Sequence, residues 1–316
     1  MNISAESSAL SFEDLSYGSA GERNLLDLYL PENTQGEVGL VMYIHGGSWI
    51  AGDKNGYKPQ LEKIRNSGYA AAALNYRYAS LRTSLDDILD DITSALAKIK
   101  STAAENGIEI NKAMLVGGSA GAHIALMYAY TRANESPIRV VCVRGDSTPA
   151  DLTLERFAIS TDTLLEISCV TGVAKKAFFI NPDNVSKPAA QYYLKKYSPV
   201  SYASTAVPTI LCHGGLDDGV PIDGAEKMYQ ELLNAGVPAE LVVYPNSGHG
   251  LEADPDCSVF ADELTYKYLD NNGFVPNETE PENFGKAPRM HRNLFNMLRG
   301  TFQWIKLKRK ISKLMQ

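Results

Sequence analysis

The chain has 316 residues, of which 44% are hydrophobic and 21% are charged, and its formal net charge at pH 7 is −7. This composition is typical of a folded globular protein and excludes disorder throughout the chain. The length allows either one large α/β domain or two domains of ordinary size. The charge is unevenly distributed, because residues 286–316 contain nine Lys or Arg and no Asp or Glu, so that residues 1–285 carry −16.

Neither secretion nor membrane insertion is predicted from the sequence. Residues 1–15 contain no cationic start and no apolar core, so we expect no secretory signal. The chain also lacks the run of about 18 apolar residues that would predict a membrane-spanning helix. The four cysteines, Cys142, Cys169, Cys212 and Cys257, lack CxxC spacing. We therefore expect free, buried thiols in a reducing compartment and a cytoplasmic protein.

Short apolar runs alternate with longer amphipathic stretches along the chain. The apolar runs predict strands at 25–30, 39–45, 69–77, 113–118, 140–145, 208–214 and 241–245. The amphipathic stretches predict helices at 57–67, 85–104, 120–132, 224–235 and 258–270. Near-continuous apolar strands separated by helices indicate an α/β protein with a mostly parallel central sheet and helices on both faces.

The interval 147–203 interrupts this alternation, because it contains short helical patterns and no convincing strand. We expect a small helical cap insertion there, over the carboxyl edge of the sheet, where parallel sheets bind their ligands. The sequence therefore predicts one domain over residues 1–271, which includes the cap, and a C-terminal extension over residues 272–316.

A single serine stands among glycines where a predicted strand meets a predicted helix. Gly117 and Gly121 lie two residues before and two residues after Ser119. Glycine weakens both strands and helices, so this placement requires a reason. A sharp turn at Ser119 supplies one, because only small residues tolerate the close backbone approach, and the turn projects the hydroxyl above the sheet. The pattern predicts a nucleophile elbow.

A serine nucleophile needs a histidine to accept its proton and a carboxylate to orient that histidine. Asp217 and Asp218 follow the sixth predicted strand and His249 follows the seventh, at the same edge of the sheet as Ser119. The chain order Ser, Asp, His is one of the known orders of such triads. We choose Asp217 as the acid because it comes directly after the strand. Asp146, after the fifth strand, is the alternative.

Acyl transfer also needs hydrogen-bond donors for the oxygen that becomes negative in the transition state. A glycine-rich stretch after the second predicted strand offers the N–H groups of Gly47 and Ser48, and we expect them to form an oxyanion hole with the N–H of Ala120. His45 is interpreted as a structural anchor of this loop rather than a second base. Trp49 is interpreted either as a residue that lines the pocket or as one that packs in the core.

With these residues in place, the chain resembles the α/β-hydrolase fold and, within it, the esterases related to hormone-sensitive lipase. The motifs that carry the resemblance are His45-Gly46-Gly47-Ser48-Trp49, Gly52-Asp53-Lys54, Asn75-Tyr76-Arg77, Gly117-Gly118-Ser119-Ala120-Gly121, His213-Gly214-x-x-Asp217 with Val220-Pro221, and Gly248-His249-Gly250. Over about residues 20–270 the combination is most similar to small bacterial feruloyl and acetyl-xylan esterases, which also resemble arylformamidases. Ser48 stands where lipase-like members often carry a third glycine, which is typical of the feruloyl-esterase and formamidase-like branch.

The C-terminal extension has a pattern of its own. Arg292, Arg299, Lys306 and Lys313 recur every seven residues, so on a helix they form a cationic stripe beside an apolar face. Three interpretations of residues 286–316 stay open: a helix docked on the core, a peripheral contact with an anionic membrane surface, and a contact with an acidic partner protein. Nucleic-acid binding is not expected, because no binding module accompanies the charges.

The resemblance implies a catalytic triad of Ser119, Asp217 and His249. We expect a serine carboxylesterase that hydrolyses a short-acyl, carbohydrate-linked or aromatic small-molecule ester through an acyl-enzyme, without a metal or an organic cofactor. Two alternatives stay open. One is an amidase, formamidase or peptidase that uses the same triad. The other is a non-catalytic scaffold, which the presence of all three triad residues disfavours.

Overall fold

The computed structural model describes residues 10–32, 36–153, 167, 169–172 and 187–274. Its strands are β1 Leu10–Ser16, β2 Leu25–Leu30, β3 Gly36–Glu37, β4 Leu40–Ile44, β5 Ala70–Leu74, β6 Ile108–Glu109, β7 Lys112–Gly118, β8 Arg139–Asp146, β9 Thr209–Gly214 and β10 Ala239–Tyr244. Its α-helices are α1 Lys58–Asn66, α2 Leu85–Glu105, α3 Ala120–Thr131, α4 Lys187–Lys196, α5 Ile222–Asn234 and α6 Pro255–Asn271.

One eight-stranded sheet forms the centre of the fold, in the order β1-β2-β5-β4-β7-β8-β9-β10. β2 pairs antiparallel with both β1 and β5, and the other neighbouring strands run parallel. β3 and β6 form a separate two-stranded parallel sheet. The seven predicted strands and the predicted parallel sheet are therefore confirmed.

The core lies where helices cover this sheet. β5 reads Ala-Ala-Ala-Ala-Leu and every residue in it is buried, as expected of a strand that is covered on both faces. α3 packs against β7 and β8, α1 packs against β5, and α5 and α6 pack against β10. α3 is buried along its length from Ala120 to Tyr130, since its sequence is apolar or small on every side.

The strand β1 was not predicted, and its sequence explains why. Leu-Ser-Phe-Glu-Asp-Leu-Ser contains adjacent acidic residues, which interrupt the alternation of apolar and polar residues. The register of β1 against β2 shifts between Phe12 and Leu15, and Asp14 between them has φ of 54°. This irregularity at the edge of the sheet removes the periodicity that sequence reasoning uses.

The carboxyl ends of the parallel strands place several loops at one edge of the sheet. The loops that follow β4, β7, β8, β9 and β10 begin there, which is where ligands bind in sheets of this kind. Of the predicted cap interval, the structure describes α4 and a 3₁₀ helix over Pro199–Thr205, while most of 154–186 lies outside the described residues. The basic extension, 286–316, also lies outside the described residues.

Three of the cysteines belong to the core. Cys142 in β8, Cys212 in β9 and Cys257 in α6 are buried and free, as the sequence predicted for them. Burial raises the pKa of Cys142 to about 12, so this thiol is uncharged at neutral pH. Within the described ranges, no helix has both the length and the apolar character that crossing a bilayer requires.

Candidate active site

Ser119 occupies the sharp turn between β7 and α3. Its backbone has φ of 52° and ψ of −121°, a conformation that costs a residue with a side chain about 1–3 kcal/mol. The turn is held by two hydrogen bonds: the N–H of Ser119 donates to the carbonyl of Asp146 at 2.8 Å, and the N–H of His123 donates to the carbonyl of Ser119 at 3.0 Å. The predicted elbow geometry is therefore present at Ser119.

The glycines around Ser119 are required by close contacts between backbones. A Cβ atom on Gly117 would lie 2.3 Å from the carbonyl oxygen of Gly121. A Cβ atom on Gly121 would lie 2.1 Å from the carbonyl oxygen of Ile44, at the end of β4. The loop after β4 approaches as closely, because a Cβ on Gly46 would lie 2.8 Å from the carbonyl oxygen of Gly118. Strand, turn and helix can meet only without side chains at these positions.

Three loops bring Ser119, His249 and Asp217 into one hydrogen-bonded line. The Nε2 atom of His249 lies 2.9 Å from Oγ of Ser119, and its Nδ1 atom lies 2.8 Å from Oδ2 of Asp217. With the imidazole neutral, Nδ1–H donates to the carboxylate and Nε2 accepts from the serine hydroxyl, which is the arrangement that general-base activation needs. The His249 side chain is 42% exposed, whereas that of Asp217 is fully buried.

Asp217 is held as a carboxylate by donors on both of its oxygens. Oδ1 accepts the N–H groups of Gly219 at 3.0 Å and Val220 at 2.8 Å. Oδ2 lies 3.4 Å from Nε2 of His213, a fully buried residue of the His-Gly motif. Burial would raise the pKa of Asp217, but the hydrogen bonds from His213, His249 and Val220 outweigh burial and lower it.

Neither of the two other candidate acids is the carboxylate that contacts Nδ1 of His249. Asp218 is exposed. Asp146 pairs with Arg144, whose Nε and Nη2 atoms lie 2.9 and 3.2 Å from its two carboxylate oxygens. The choice of Asp217 over Asp218 and Asp146 therefore agrees with the contacts of His249.

The electrostatic surroundings of His249 favour its protonated form. The hydrogen bond to Asp217 raises the pKa of the imidazole, burial opposes this, and the charges of Asp217, Asp218 and Glu252 raise it further. The loop is also held from the end of β8, since Oγ of Ser147 donates to the carbonyl of His249 at 2.8 Å. His249 is thus a base with a raised pKa on a fixed loop.

The predicted oxyanion donors lie in the loop after β4 and at the start of α3. Gly47, Ser48 and Trp49 have φ of 109°, 50° and 63°, and the carbonyl of Gly47 accepts the N–H groups of the two residues after Trp49. Within the described part of the chain, the N–H groups of Gly47 and Ser48 donate to no protein acceptor. Ala120 is the first residue of α3, so its N–H has no acceptor within the helix. Their joint role as an oxyanion hole stays a prediction.

Trp49 packs in the core. Its side chain is 4% exposed, and its Nε1–H donates to Nδ1 of His123 at 3.2 Å. His123 is fully buried, and its Nε2 lies 2.7 Å from the carbonyl of Tyr197, so both of its nitrogens have partners. Of the two interpretations that the sequence left open for Trp49, the structure supports packing.

His45 anchors the loop, as the sequence suggested. Arg23 donates to its Nε2 at 2.9 Å, so Nδ1 carries the proton and contacts the carbonyl of Gly46 at 2.8 Å. The ring of Tyr76 stacks on the imidazole with 4.2 Å between centroids, and the Tyr76 hydroxyl donates to the carbonyl of His45 at 2.8 Å. Burial lowers the pKa of His45 to about 4, which keeps the imidazole neutral.

Residues of two other motifs also fix this loop, a role that sequence reasoning did not assign. The Nζ atom of Lys54 lies in the core, 2.6 Å from Asp27 and 2.8 Å from Asp14. The amide of Asn75 accepts the N–H of Lys54 at 2.8 Å and donates to Asp53 at 2.9 Å. The motifs indicated these residues, but their partners are distant in the sequence.

A cavity of about 530 Å³ lies over Ser119. Its lining residues come from the loop after β4, the elbow, the ends of β8 and β10, the His249 loop and α6: Gly46, Gly118, Ser119, Arg144, Asp146, Ser147, Tyr244, His249, Gly250, Leu251, Glu252 and Ser258. Within the described ranges, no group of three or more His, Cys, Asp or Glu is arranged to hold a metal ion. The cavity therefore combines a nucleophile and its base with room for a small molecule.

Curated relatives include two proteins that are named as ester hydrolases. The isoprenylcysteine alpha-carbonyl methylesterase ICME of Arabidopsis thaliana is 27% identical over 236 residues, which make up 72% of this chain and 54% of the relative. The probable carboxylic ester hydrolase LipM of Mycobacterium tuberculosis is 28% identical over 238 residues, or 73% of this chain and 53% of the relative. The chain thus spans about half the length of these relatives.

Solved esterase structures share the fold. The structure of the thermophilic esterase Est2 of Thermogutta terrifontis aligns with this chain with a TM-score of 0.62 and 22% sequence identity. The alignment covers 86% of this chain and 95% of the Est2 chain. The structure of esterase B of Lactobacillus rhamnosis aligns with a TM-score of 0.65 and 16% sequence identity, and the alignment covers 84% of this chain and 86% of the esterase B chain. The family model described as BD-FAE matches residues 26–232, more than half of the chain, including Ser119 and Asp217. The chain therefore belongs to the BD-FAE family and has the α/β-hydrolase fold.

Proposed function

We propose that this protein is a serine carboxylesterase that hydrolyses a small carboxylic ester through an acyl-enzyme. The observation that carries the proposal is the continuous line of hydrogen bonds from Asp217 through His249 to Ser119, at 2.8 and 2.9 Å. The ester-hydrolase names of the relatives support it. The similarity of the sequence motifs to those of feruloyl and acetyl-xylan esterases is the basis on which we propose a short-acyl, carbohydrate-linked or aromatic ester as the substrate class.

The residues perform the reaction in two half-reactions. As Oγ of Ser119 attacks the ester carbonyl, its proton passes to Nε2 of His249, and Asp217 stabilises the resulting imidazolium. His249 then gives that proton to the departing alkoxide, which leaves as the alcohol. Water attacks the acyl-enzyme by the same route, releases the carboxylic acid and restores the Ser119 hydroxyl. The N–H groups of Gly47, Ser48 and Ala120 are proposed to stabilise both oxyanions.

A fluorophosphonate probe and a matched pair of substrates test the proposal. We expect the probe to label Ser119, because the base at 2.9 Å activates its hydroxyl, and mass spectrometry of the peptides locates the label. We expect p-nitrophenyl acetate to be hydrolysed faster than p-nitroacetanilide. Faster hydrolysis of the anilide would indicate an amidase instead of an esterase. Absence of both labelling and hydrolysis would contradict the proposal.

The pH dependence of the reaction follows from the pKa of His249. Only neutral imidazole accepts a proton, so kcat/KM falls as the pH is lowered through that pKa, which lies above the ordinary value for histidine. Because the charge of Glu252 contributes to raising it, Glu252→Gln should move the acid limb of the kcat/KM profile to lower pH. Glu105→Gln, at the exposed end of α2, is the control. An acid limb that stays in place or moves to higher pH would refute this assignment.

A further inference from the structure

His123 is a fully buried histidine that the proposed reaction does not use. It lies on α3, one helical turn after Ser119, and its N–H donates to the Ser119 carbonyl at 3.0 Å. Burying an imidazole is unfavourable unless both of its nitrogens have hydrogen-bond partners, because a polar group that leaves water without a partner loses free energy. The partners of this side chain therefore indicate its role.

The two side-chain partners of His123 fix its tautomer. Burial lowers the pKa of the imidazole to about 4, so at neutral pH the ring is uncharged and carries one N–H. A carbonyl can only accept, so Nε2 holds the proton and donates it to the Tyr197 carbonyl at 2.7 Å. Nδ1 is then an acceptor, and the indole N–H of Trp49 donates to it at 3.2 Å. The Tyr197 carbonyl thus keeps His123 in the form that can bind Trp49.

Tyr197 is itself held in place where the chain leaves α4. Its N–H donates to the carbonyl of Tyr193 at 3.0 Å. Its hydroxyl donates to Oδ2 of Asp86, in the first turn of α2, at 2.7 Å and accepts from Nζ of Lys196 at 2.9 Å. Contacts with two helices therefore fix the carbonyl that accepts the proton of His123.

Trp49 connects His123 with the loop that carries two of the predicted oxyanion donors. Ser48 and Trp49 are consecutive residues with φ of 50° and 63°, a left-handed conformation that a side chain disfavours and that persists only where the surroundings fix it. The N–H of Ala79 donates to the Trp49 carbonyl at 2.9 Å. The buried indole packs nearly perpendicular to the imidazole, with 5.3 Å between ring centroids. The contact with His123 is therefore one of those that hold this strained loop.

A single side chain thus connects both parts of the predicted oxyanion hole. His123 is hydrogen-bonded to the backbone of Ser119 at the elbow, and through Trp49 it holds the loop after β4. We propose that His123 is a positioning residue, which sets the spacing between the N–H of Ser48 and the N–H of Ala120. The proposal rests on the proposed function, because the hole acts on the oxyanion that forms in that reaction.

His123→Leu and Trp49→Phe test the proposal by removing the acceptor and the donor of one hydrogen bond. Because the hole stabilises the transition state rather than the bound ester, each variant should lower kcat for p-nitrophenyl acetate by about 10- to 100-fold and leave KM within about twofold. The double variant should lose little more than either single variant, since both act through one contact. His123→Asn, whose amide oxygen can accept the indole N–H, should retain more of kcat than His123→Leu.

Tyr130→Phe is the matched control, because it removes a buried hydrogen bond from the other end of α3. The Tyr130 hydroxyl lies 2.8 Å from Oγ1 of Thr209. We expect this variant to lower the midpoint of thermal unfolding and to leave kcat unchanged. A loss of kcat as large as in His123→Leu would mean that kcat follows the stability of α3, which would overturn the positioning role. If His123→Leu fails to fold, the comparison of Trp49→Phe with Tyr130→Phe decides.

A nuclear magnetic resonance measurement without turnover separates this proposal from the proposed function. The chain contains two tryptophans, so isotopic labelling of tryptophan nitrogens in Trp304→Phe leaves the indole N–H signal of Trp49 alone. Adding His123→Leu should shift this signal upfield and speed its exchange with solvent, and in a uniformly labelled sample it should also shift the backbone N–H signal of Ser48. These shifts would support the positioning role even if the wild-type chain hydrolysed no ester. Unchanged signals, or an unchanged kcat in an active chain, would overturn it.

Discussion

Replacing Ser119 with alanine is expected to lower kcat for p-nitrophenyl acetate by a factor on the order of 10⁵–10⁶, the loss seen when the nucleophile of such a triad is removed. The reason is that no other described hydroxyl lies against Nε2 of His249, which is 2.9 Å from Oγ of Ser119. Initial rates of p-nitrophenolate release measure the loss.

The Ser119 variant should keep its fold, because alanine is smaller than serine and the strained backbone is held by hydrogen bonds of main-chain groups. Thermal unfolding followed by circular dichroism provides this control. His249→Ala should cause a similar loss, and the double variant should lose little more, since residues that act as one unit are not additive. A loss of less than tenfold for Ser119→Ala in a folded protein would end the assignment of the nucleophile.

Asp217→Asn is expected to lower kcat by about 10⁴. The carboxylate accepts the proton on Nδ1 of His249 at 2.8 Å and thereby leaves Nε2 free to act as a base. An amide at this position can donate to Nδ1 instead, which places the proton on Nε2 and removes the acceptor for the Ser119 hydroxyl. The measurement is kcat as a function of pH.

Asp218→Asn is the matched control for this variant, because it makes the same change from carboxylate to amide at the neighbouring residue. Asp218 is exposed and contributes to His249 only through its charge, so the variant should retain most of kcat and shift the acid limb to lower pH. Equal losses in the two variants would mean that Asp217 acts through charge alone, which contradicts the proposed orienting role.

The meeting of Ser119, Asp217 and His249 could be predicted because it depends on a rule of fold geometry. Parallel strands end at one edge of a sheet, so residues that follow different strands share that edge although 130 residues separate Ser119 from His249. Choosing Asp217 required only its distance from the end of the strand. Local pattern and topology were sufficient for the position of the candidate site.

The partners of these residues could not be predicted, because they are long-range contacts without a periodic signal. His213 reaches Asp217 from within its own motif, so its role could have been inferred from the spacing of four residues. No spacing predicts that Lys54 lies against Asp27, or that Arg144 connects Asp146 with α6. Such pairings depend on how strands and helices pack, which a single sequence does not specify.

The close contact of three backbones at the elbow has a consequence for how this scaffold can diversify. Because Gly117, Gly121 and the carbonyl of Ile44 leave no volume for a side chain, we expect repacking of the surrounding core to leave the reactive hydroxyl where it is. New selectivity must therefore arise in segments that line the cavity without touching this junction, such as the loop with Leu251 and Glu252 and the first turn of α6 with Ser258. Mutagenesis libraries aimed at new substrates are best confined to those segments.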